Sequence, residues 1–166
     1  MGIFTAAVAL FTNGGVGETE REPRRADAES EAKVKCTVLV IDDDPTILEA
    51  LRLLLREAGY NVLTSNTGPK GLDMVRYAPR DIRLVLLDYN MPRFNGAETL
   101  AFLRKLNPNL KVVALSGFRV TELPANFHAG VDRFISKPFS SADLLKTVGE
   151  VLADKSPTKV SIPASA

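Results

Sequence analysis

The chain has 166 residues, of which 45% are hydrophobic and 25% are charged, and its formal net charge at pH 7 is +1. This composition is typical of one globular domain with tails, and the balanced charge argues against general attraction to nucleic acid or to a membrane surface. No apolar run approaches the roughly 20 residues that a membrane-spanning helix needs.

The two ends of the chain differ in composition from the middle. Residues 17–33 are dense in charge and nearly free of large apolar side chains, so the sequence predicts a disordered extension over residues 1–34. Residues 2–11 are apolar, but no lysine or arginine precedes them and no clear cleavage site follows, which disfavours a signal peptide. A start codon assigned too far upstream would also explain this stretch. The folded domain is expected at residues 35–154, and residues 155–166 are expected to form a flexible tail.

The chain contains one cysteine, Cys36, and cannot form an internal disulfide. A reduced, cytoplasmic location is the simplest interpretation of that count. Cys36 is expected to be a small buried side chain of the domain.

Apolar runs and helical periodicity alternate through the domain. In chain order the sequence predicts strand 37–41, helix 45–58, strand 60–64, helix 69–77, strand 84–87, helix 95–106, strand 111–115, a short or irregular helix within 120–130, strand 133–136 and a helix that follows Ser140. Three of the strand runs are nearly continuous Val, Leu and Ile, which is typical of strands covered on both faces in a parallel sheet. The alternation therefore predicts a doubly wound α/β domain with right-handed crossovers.

Two prolines mark where helices are expected to begin. Pro45 suits the first position of the helix over residues 45–58, and Asp44 just before it is a favoured N-cap. Pro124 has no backbone donor and disfavours a helix running through it, so the helix within 120–130 is expected to begin near that proline.

Polar residues follow four of the five predicted strands. They are Asp42, Asp43, Asp88, Ser116 and Lys137. In a doubly wound sheet, ligands bind outside the carboxyl ends of the strands, so these side chains are the candidates for a functional site. Three carboxylates that converge there repel one another unless a cation offsets their charge, and oxygen ligands of this kind favour Mg²⁺.

Four motifs contain these residues, and together they resemble the receiver domain of two-component response regulators. The motifs are VIDDDP, LLDYNMP, ALSG and SKPF, which occur in that order. The resemblance covers about residues 35–154. It implies a flavodoxin-like, five-stranded parallel sheet in the order 2-1-3-4-5 with helices on both faces.

The resemblance also implies a role for each residue of the acidic site. Asp88 would be the nucleophile that accepts a phosphoryl group, and Asp43, Asp88 and the backbone carbonyl of Asn90 would bind Mg²⁺. Asp42 would act mainly through a metal-bound water. Lys137 would neutralise charge on the transferring group.

Two further residues would read the phosphorylated state. Ser116 would donate its hydroxyl to the phosphoryl group on Asp88. Phe134 occupies the position where many receivers carry a switching tyrosine, and it would either switch rotamer without a ring hydroxyl or simply pack in the core. The Lys137–Pro138 peptide bond would often be cis in such a domain.

The resemblance implies protein partners and a signalling function. A histidine kinase or a histidine phosphotransfer protein would supply the phosphoryl group, and the domain would then regulate an unnamed protein target or pass the group on. Such a domain is not an enzyme beyond its own phosphorylation and dephosphorylation. Only a short tail follows the last helix, which favours a stand-alone receiver. His128, the only histidine, is expected to be a surface or half-buried residue and not a phosphodonor.

Two alternatives stay open at this stage. VIDDDPT also fits the signature of haloacid-dehalogenase phosphatases, in which Asp42 would be the nucleophile, Asp44 the acid/base and Thr46 a further match. Against this stand the helix that begins directly after the first strand, the lack of a suitable acidic motif after SKPF, and an unexplained Asp88. The second alternative is a receiver-like interaction module that is never phosphorylated.

Overall fold

The computed structural model describes residues 36–156. Strands and α-helices alternate in this part of the chain. They are β1 (Thr37–Ile41), α1 (Pro45–Glu57), β2 (Asn61–Ser65), α2 (Gly68–Tyr77), β3 (Ile82–Asp88), α3 (Gly96–Leu106), β4 (Lys111–Ser116), α4 (Ala125–Gly130), β5 (Arg133–Ser136) and α5 (Ser141–Ala153). The predictions for residues 1–34, and for the tail beyond residue 156, lie outside the described residues.

The five strands form one sheet in the order β2-β1-β3-β4-β5, and every neighbouring pair is parallel. This confirms the predicted fold class and strand order. The order reverses between β1 and β3, and the carboxyl ends of these two neighbours lie together. A crevice at such a reversal is where doubly wound sheets bind ligands.

Two apolar layers cover the sheet because alternate residues of each strand point to opposite faces. Leu39 and Ile41 pack in the layer beneath α2, α3 and α4, whereas Val38 and Val40 pack in the layer beneath α1 and α5. All four side chains have no exposed surface. Burying a side chain of this size contributes about 1.5–3 kcal/mol, so the two layers account for much of the fold's stability.

Strand β3 is longer than the sequence predicted. It begins at Ile82, which is 2% exposed, and ends at Asp88, which is 3% exposed. The predicted run began at Leu84 because exposed Arg83 interrupts the apolar stretch. The first residues of this strand are covered on one face only, so buried and exposed residues alternate there. A search for continuous apolar residues misses such a start. Cys36 also differs from expectation, since it is only partly buried at the rim of the core.

The two helix starts that were predicted from prolines are confirmed. Asp44 caps α1, accepting a hydrogen bond from the Thr46 backbone N–H at 2.7 Å. That backbone hydrogen bond lowers the pKa of the Asp44 carboxyl below its ordinary value. Pro124 precedes α4, which has only six residues and follows a 3₁₀ turn at Val120–Glu122. The short, interrupted helix is the consequence of the proline.

A nearly buried charge cluster ties α3 to the amino-terminal ends of β4 and β5. The Arg104 guanidinium donates to the Gly130 carbonyl at 2.8 Å and to the Asp132 carboxylate at 3.2 Å. It also donates to the Leu110 carbonyl. Lys111 donates to the other oxygen of Asp132 at 3.3 Å. The Arg104 and Asp132 side chains are only 9% and 10% exposed, so their charges are largely removed from water and are stabilised by these contacts.

None of the helices within residues 36–156 is long and apolar enough to cross a membrane.

Candidate functional site

Three carboxylates meet at the carboxyl ends of β1 and β3. Asp42 directly follows β1, Asp43 comes next, and Asp88 is the last residue of β3. One oxygen from each lies within 4.8 Å of the others. Asp42 and Asp88 are 1% and 3% exposed, whereas Asp43 is exposed. The convergence expected from the parallel topology is therefore present.

The Lys137 ammonium lies between the two buried carboxylates. Its Nζ atom donates to Asp42 Oδ2 and to Asp88 Oδ1, both at 2.8 Å. Lys137 follows β5, and its backbone N–H donates to the Ser116 carbonyl at 2.7 Å, which fixes the start of the loop. The Lys137–Pro138 peptide bond is cis, as the resemblance implied. The side chain thus reaches back across β4 to the end of β3.

Each buried carboxylate uses its second oxygen to accept a backbone hydrogen bond. Asp42 Oδ1 accepts from the Asp44 N–H, and Asp88 Oδ2 accepts from the Asn90 N–H, both at 2.9 Å. These two contacts were missed at the level of sequence. Aspartate often accepts from the backbone two residues ahead, so the pattern Asp-x-x after a strand was the available signal. The contacts fix both carboxylates in one orientation.

Burial and charge act in opposite directions on these groups. Burial raises the pKa of the Asp88 carboxyl, and the hydrogen bond from Lys137 opposes that rise without cancelling it. Burial disfavours the Lys137 ammonium, but its hydrogen bonds to Asp42 and Asp88 outweigh burial and raise the pKa of Lys137. Three carboxylates face one ammonium, which leaves excess negative charge. An all-oxygen donor set with that charge fits Mg²⁺.

We expect the free energy of unfolding to depend on pH through Asp88 when no divalent cation is present. The folded pKa of Asp88 is raised above its ordinary value of 3.8. Its contribution to stability is therefore complete below that value and is lost as pH rises through the folded pKa. Asp88→Asn cannot ionise, so it should be more stable than the parent at pH 7, and the difference should shrink below pH about 4.

Urea unfolding of both chains between pH 3 and pH 8, with a chelator present, measures this difference. Titrating groups that do not contact Asp88, such as Asp44, are common to the two chains, so their contributions cancel in the difference between the two free energies of unfolding. A difference in stability that does not vary with pH would contradict the assigned burial of the Asp88 charge.

Helix α3 begins against the backbone of the phosphate-accepting candidate. A Cβ atom on Gly96 would lie 2.6 Å from the Asp88 carbonyl oxygen and 2.7 Å from Tyr89 Cα. The Gly96 N–H donates to the Tyr89 carbonyl at 3.0 Å. Only glycine permits this approach, because any Cβ would collide with main-chain atoms that cannot move aside.

The Ser116 side chain makes no hydrogen bond to the three carboxylates within residues 36–156, and the Phe134 ring packs on other aromatic rings. Ser116 is 2% exposed, and its hydroxyl oxygen accepts a hydrogen bond from the Phe118 N–H at 3.0 Å. The Phe134 ring packs on His128 and Phe127, with ring centroids at 4.7 Å and 5.8 Å. Phe127 in turn packs on Tyr89 at 4.9 Å, so aromatic contacts connect Phe134 to the residue after Asp88. His128 is half-buried, as expected.

The sequence matches one protein family over most of the described residues. The profile of the family described as "Response regulator receiver domain" matches residues 38–149. The chain is 31% identical over 116 residues to the cell cycle transcriptional regulator CtrA of Caulobacter vibrioides, a match that covers 69% of this chain and 49% of CtrA. It is 34% identical over 123 residues to the probable transcriptional regulatory protein TcrX of Mycobacterium tuberculosis, covering 74% of this chain and 50% of TcrX. The chain thus spans about half the length of the curated relatives it matches.

Solved structures show the same fold. A CheY-like response regulator receiver domain protein of Methanospirillum hungatei superposes with a TM-score of 0.64 at 32% identity, covering 70% of this chain and 93% of that one. The response regulator TrrA of Thermotoga maritima, solved in complex with Mg²⁺ and BeF, superposes with a TM-score of 0.62 at 28% identity, covering 70% of this chain and 98% of TrrA.

Proposed function

The chain belongs to the response regulator receiver domain family, and from that premise we propose that Asp88 accepts a phosphoryl group from a phosphohistidine of a partner protein. Members of the family are phosphoacceptors rather than enzymes. The observation that supports a site here is the burial of Asp88 at the carboxyl end of β3 with one oxygen 2.8 Å from the Lys137 ammonium. Asp42 makes equivalent contacts, and Asp88 is preferred because it lies in LLDYNMP, the single-aspartate motif of the family. The donor is a histidine kinase or a histidine phosphotransfer protein.

The transfer needs a carboxylate oxygen aimed at phosphorus and cations around the moving charge. An Asp88 oxygen attacks phosphorus, the bond from phosphorus to the imidazole nitrogen breaks, and its electron pair stays on the imidazole. Lys137, held by Asp42, offsets negative charge on the phosphoryl oxygens. The buried position of Asp88 excludes much water and strengthens these electrostatic interactions.

Mg²⁺ is the cofactor that the proposal requires. Asp43, Asp88 and the Asn90 carbonyl would hold the ion directly, and Asp42 would hold it through water. When bound, the ion supplies positive charge that neutralises the phosphoryl oxygens. Asp43 makes no hydrogen bond or ion pair with any residue in 36–156, so its carboxylate is available as a ligand.

Removing the Asp43 charge should weaken Mg²⁺ binding by at least about tenfold, because one of the few direct protein ligands is lost. Titrating MgCl₂ while following amide NMR shifts of residues 42–44 and 88–90 measures the affinity. Asp73→Asn is the matched control, since Asp73 is exposed on α2 and Arg76 is its ion-pair partner within residues 36–156. Equal affinity in the Asp43→Asn chain and the parent would refute this ligand assignment.

Labelling with a small phosphodonor tests the phosphoacceptor directly. Acetyl phosphate with Mg²⁺ should modify the parent chain at a single residue, and borohydride reduction should convert the acyl phosphate into a stable product for mass spectrometry. The modified residue is expected to be Asp88. Modification at Asp42, or continuous turnover of a phosphate ester, would instead support the haloacid-dehalogenase alternative.

The structure disfavours that alternative at Asp44. An acid/base at this position would face the reacting group, whereas the Asp44 carboxylate accepts from the Thr46 N–H and caps α1. Helix α1 starts at Pro45, so no insertion separates it from β1. All the carboxylates and the lysine needed for phosphorylation are present, which also argues against a purely structural module.

Phosphorylation would shift the domain between two conformations. The Ser116 hydroxyl would donate a hydrogen bond to the phosphoryl group, and its oxygen would either keep or lose the hydrogen bond that it accepts from the Phe118 N–H. Phe134 would repack against Phe127 and His128. A hydrogen bond to a charged group contributes roughly 1.5–3 kcal/mol, enough to reverse a population ratio set by a gap of a few kcal/mol. This switching would take place in the cytoplasm, where the domain would regulate a protein target or pass the phosphoryl group on.

A further inference from the structure

A cavity of about 420 Å³ opens beside Asp43, between the loop after β2 and the loop after β3. We propose that this cavity receives an apolar side chain of the protein that delivers the phosphoryl group to Asp88. The inference rests on the proposed function, since it identifies part of the surface on which the phosphodonor docks.

Four apolar residues, Pro69, Met91, Pro92 and Phe94, line the cavity, and we call them its floor. Met91 is only 5% exposed, whereas the two prolines are exposed. We call its two charged residues, Asp43 and Arg93, its rim. An apolar side chain that enters would remove its own surface and that of the floor from water, which favours its binding. A polar or charged group would lose its hydration there without gaining a partner at the floor.

The walls of the cavity are fixed before any partner arrives. A Cβ on Gly68 would lie 2.3 Å from Thr99 Oγ1 and 2.5 Å from Phe94 Cδ1, so this wall packs directly on its neighbours. The Phe94 ring packs on Phe102 with centroids 5.8 Å apart. Arg93 adopts a left-handed backbone conformation with φ of 67°, which turns the loop around the cavity. Binding to a preformed pocket is favoured because few side chains or loops of the pocket have to be ordered.

Because the cavity lies beside the acidic site, the protein that delivers the phosphoryl group is the partner expected to occupy it. Asp43 lines the cavity and also belongs to the three carboxylates that lie within 4.8 Å of one another. The donor nitrogen must bring phosphorus to about 3–3.5 Å from an Asp88 oxygen in a reactive geometry. The donor surface around its histidine therefore covers the mouth of the site and the adjoining rim.

The charge of Arg93 at the rim determines which residues of the donor protein are favourable next to the docking side chain. Arg93 is exposed and makes no hydrogen bond or ion pair with another residue in 36–156. An apolar side chain flanked by a carboxylate on the donor would fill the floor and pair with Arg93. A donor that presents a lysine or arginine there would leave Arg93 opposed by like charge.

A tryptophan introduced at Asn66, which lines the cavity and is exposed, should fill it without altering a carboxylate. Ala101→Trp is the control, because Ala101 is exposed on α3 and does not line the cavity. Indole serves as the apolar probe, followed by the Met91 methyl resonance. The parent and Ala101→Trp should show saturable shifts, and Asn66→Trp should show none.

Phosphotransfer then identifies the occupant. Acetyl phosphate and a panel of purified, phosphorylated histidine kinases and phosphotransfer proteins are compared as donors. For every protein donor that labels the parent, Asn66→Trp should be labelled at least about tenfold more slowly, while labelling by acetyl phosphate stays within about twofold. Ala101→Trp should match the parent with both kinds of donor.

The outcomes separate the inference from the function it rests on. No saturable indole binding to the parent, or equal labelling of Asn66→Trp and parent by protein donors, would overturn the docking role while leaving the phosphoacceptor intact. Labelling of the parent by acetyl phosphate but by no protein donor would also count against the donor as occupant. Absence of Asp88 labelling with every donor would overturn the proposed function, and the inference with it.

Discussion

Replacement of Asp88 by asparagine is expected to lower labelling by acetyl phosphate at least about a thousandfold, to below detection, because the attacking carboxylate oxygen is lost. The amide keeps the shape of the side chain and can still accept from the Asn90 N–H. Urea unfolding of Asp88→Asn under the labelling conditions distinguishes loss of the nucleophile from loss of the fold. Phosphate incorporation measured over time gives the rate.

Asp42→Asn is the informative control for this experiment. Asp42 is as deeply buried as Asp88 and also accepts from Lys137 at 2.8 Å. Its loss should slow labelling, since Lys137 would lose a contact that positions it, but the label should stay on Asp88. If Asp42→Asn abolished labelling and Asp88→Asn did not, the nucleophile would be Asp42 and the family mechanism would not apply at this site.

Arg104→Met is expected to lower the free energy of unfolding by about 3 kcal/mol, because the nearly buried Asp132 carboxylate would lose a cationic partner while keeping its contact with Lys111. Methionine keeps an apolar stem, so the loss reports on the guanidinium. Burial lowers the pKa of the Arg104 guanidinium, although its ion pair with Asp132 opposes that shift. The Gly130 and Leu110 carbonyls would also lose their donor.

The matched control is Arg76→Met on α2. Arg76 forms one ion pair, with Asp73 at 3.2 Å, and both side chains are more than half exposed at 58% and 57%. An exposed pair of this kind contributes about 0–1 kcal/mol. Urea unfolding of the three chains measures both changes. Comparable decreases in the free energy of unfolding for Arg76→Met and Arg104→Met would show that the buried cluster contributes no more stability than an exposed ion pair.

The sequence predicted the acidic site well because parallel topology determines it. Once β1 and β3 are neighbours, residues at their carboxyl ends must meet, and Asp42, Asp43 and Asp88 do so within 4.8 Å. Lys137 was harder to place, since its reach to Asp88 depends on the loop after β5. The resemblance to receivers supplied that contact, and periodicity did not.

Contacts between distant segments could not be read from sequence patterns. Arg104 and Asp132 are 28 positions apart, and nothing local distinguishes this arginine from those on exposed helix faces. The cavity beside Asp43 likewise depends on two loops whose backbone is set by tertiary packing. The positive φ of Arg93 is an example, since L-residues other than glycine seldom adopt it and the residue type gave no signal.

The direct contact of Gly96 with the end of β3 constrains any directed-evolution library built on this chain. No side-chain atom separates Gly96 from the main chain at Asp88 and Tyr89, so the start of helix α3 packs directly on the end of β3. Exposed positions of α3 such as Ala101 and Lys105 can be randomised freely. Codon 96 has to stay glycine, because even an alanine there would displace the main chain of Asp88, the proposed phosphoacceptor, before any change reached the surface being selected.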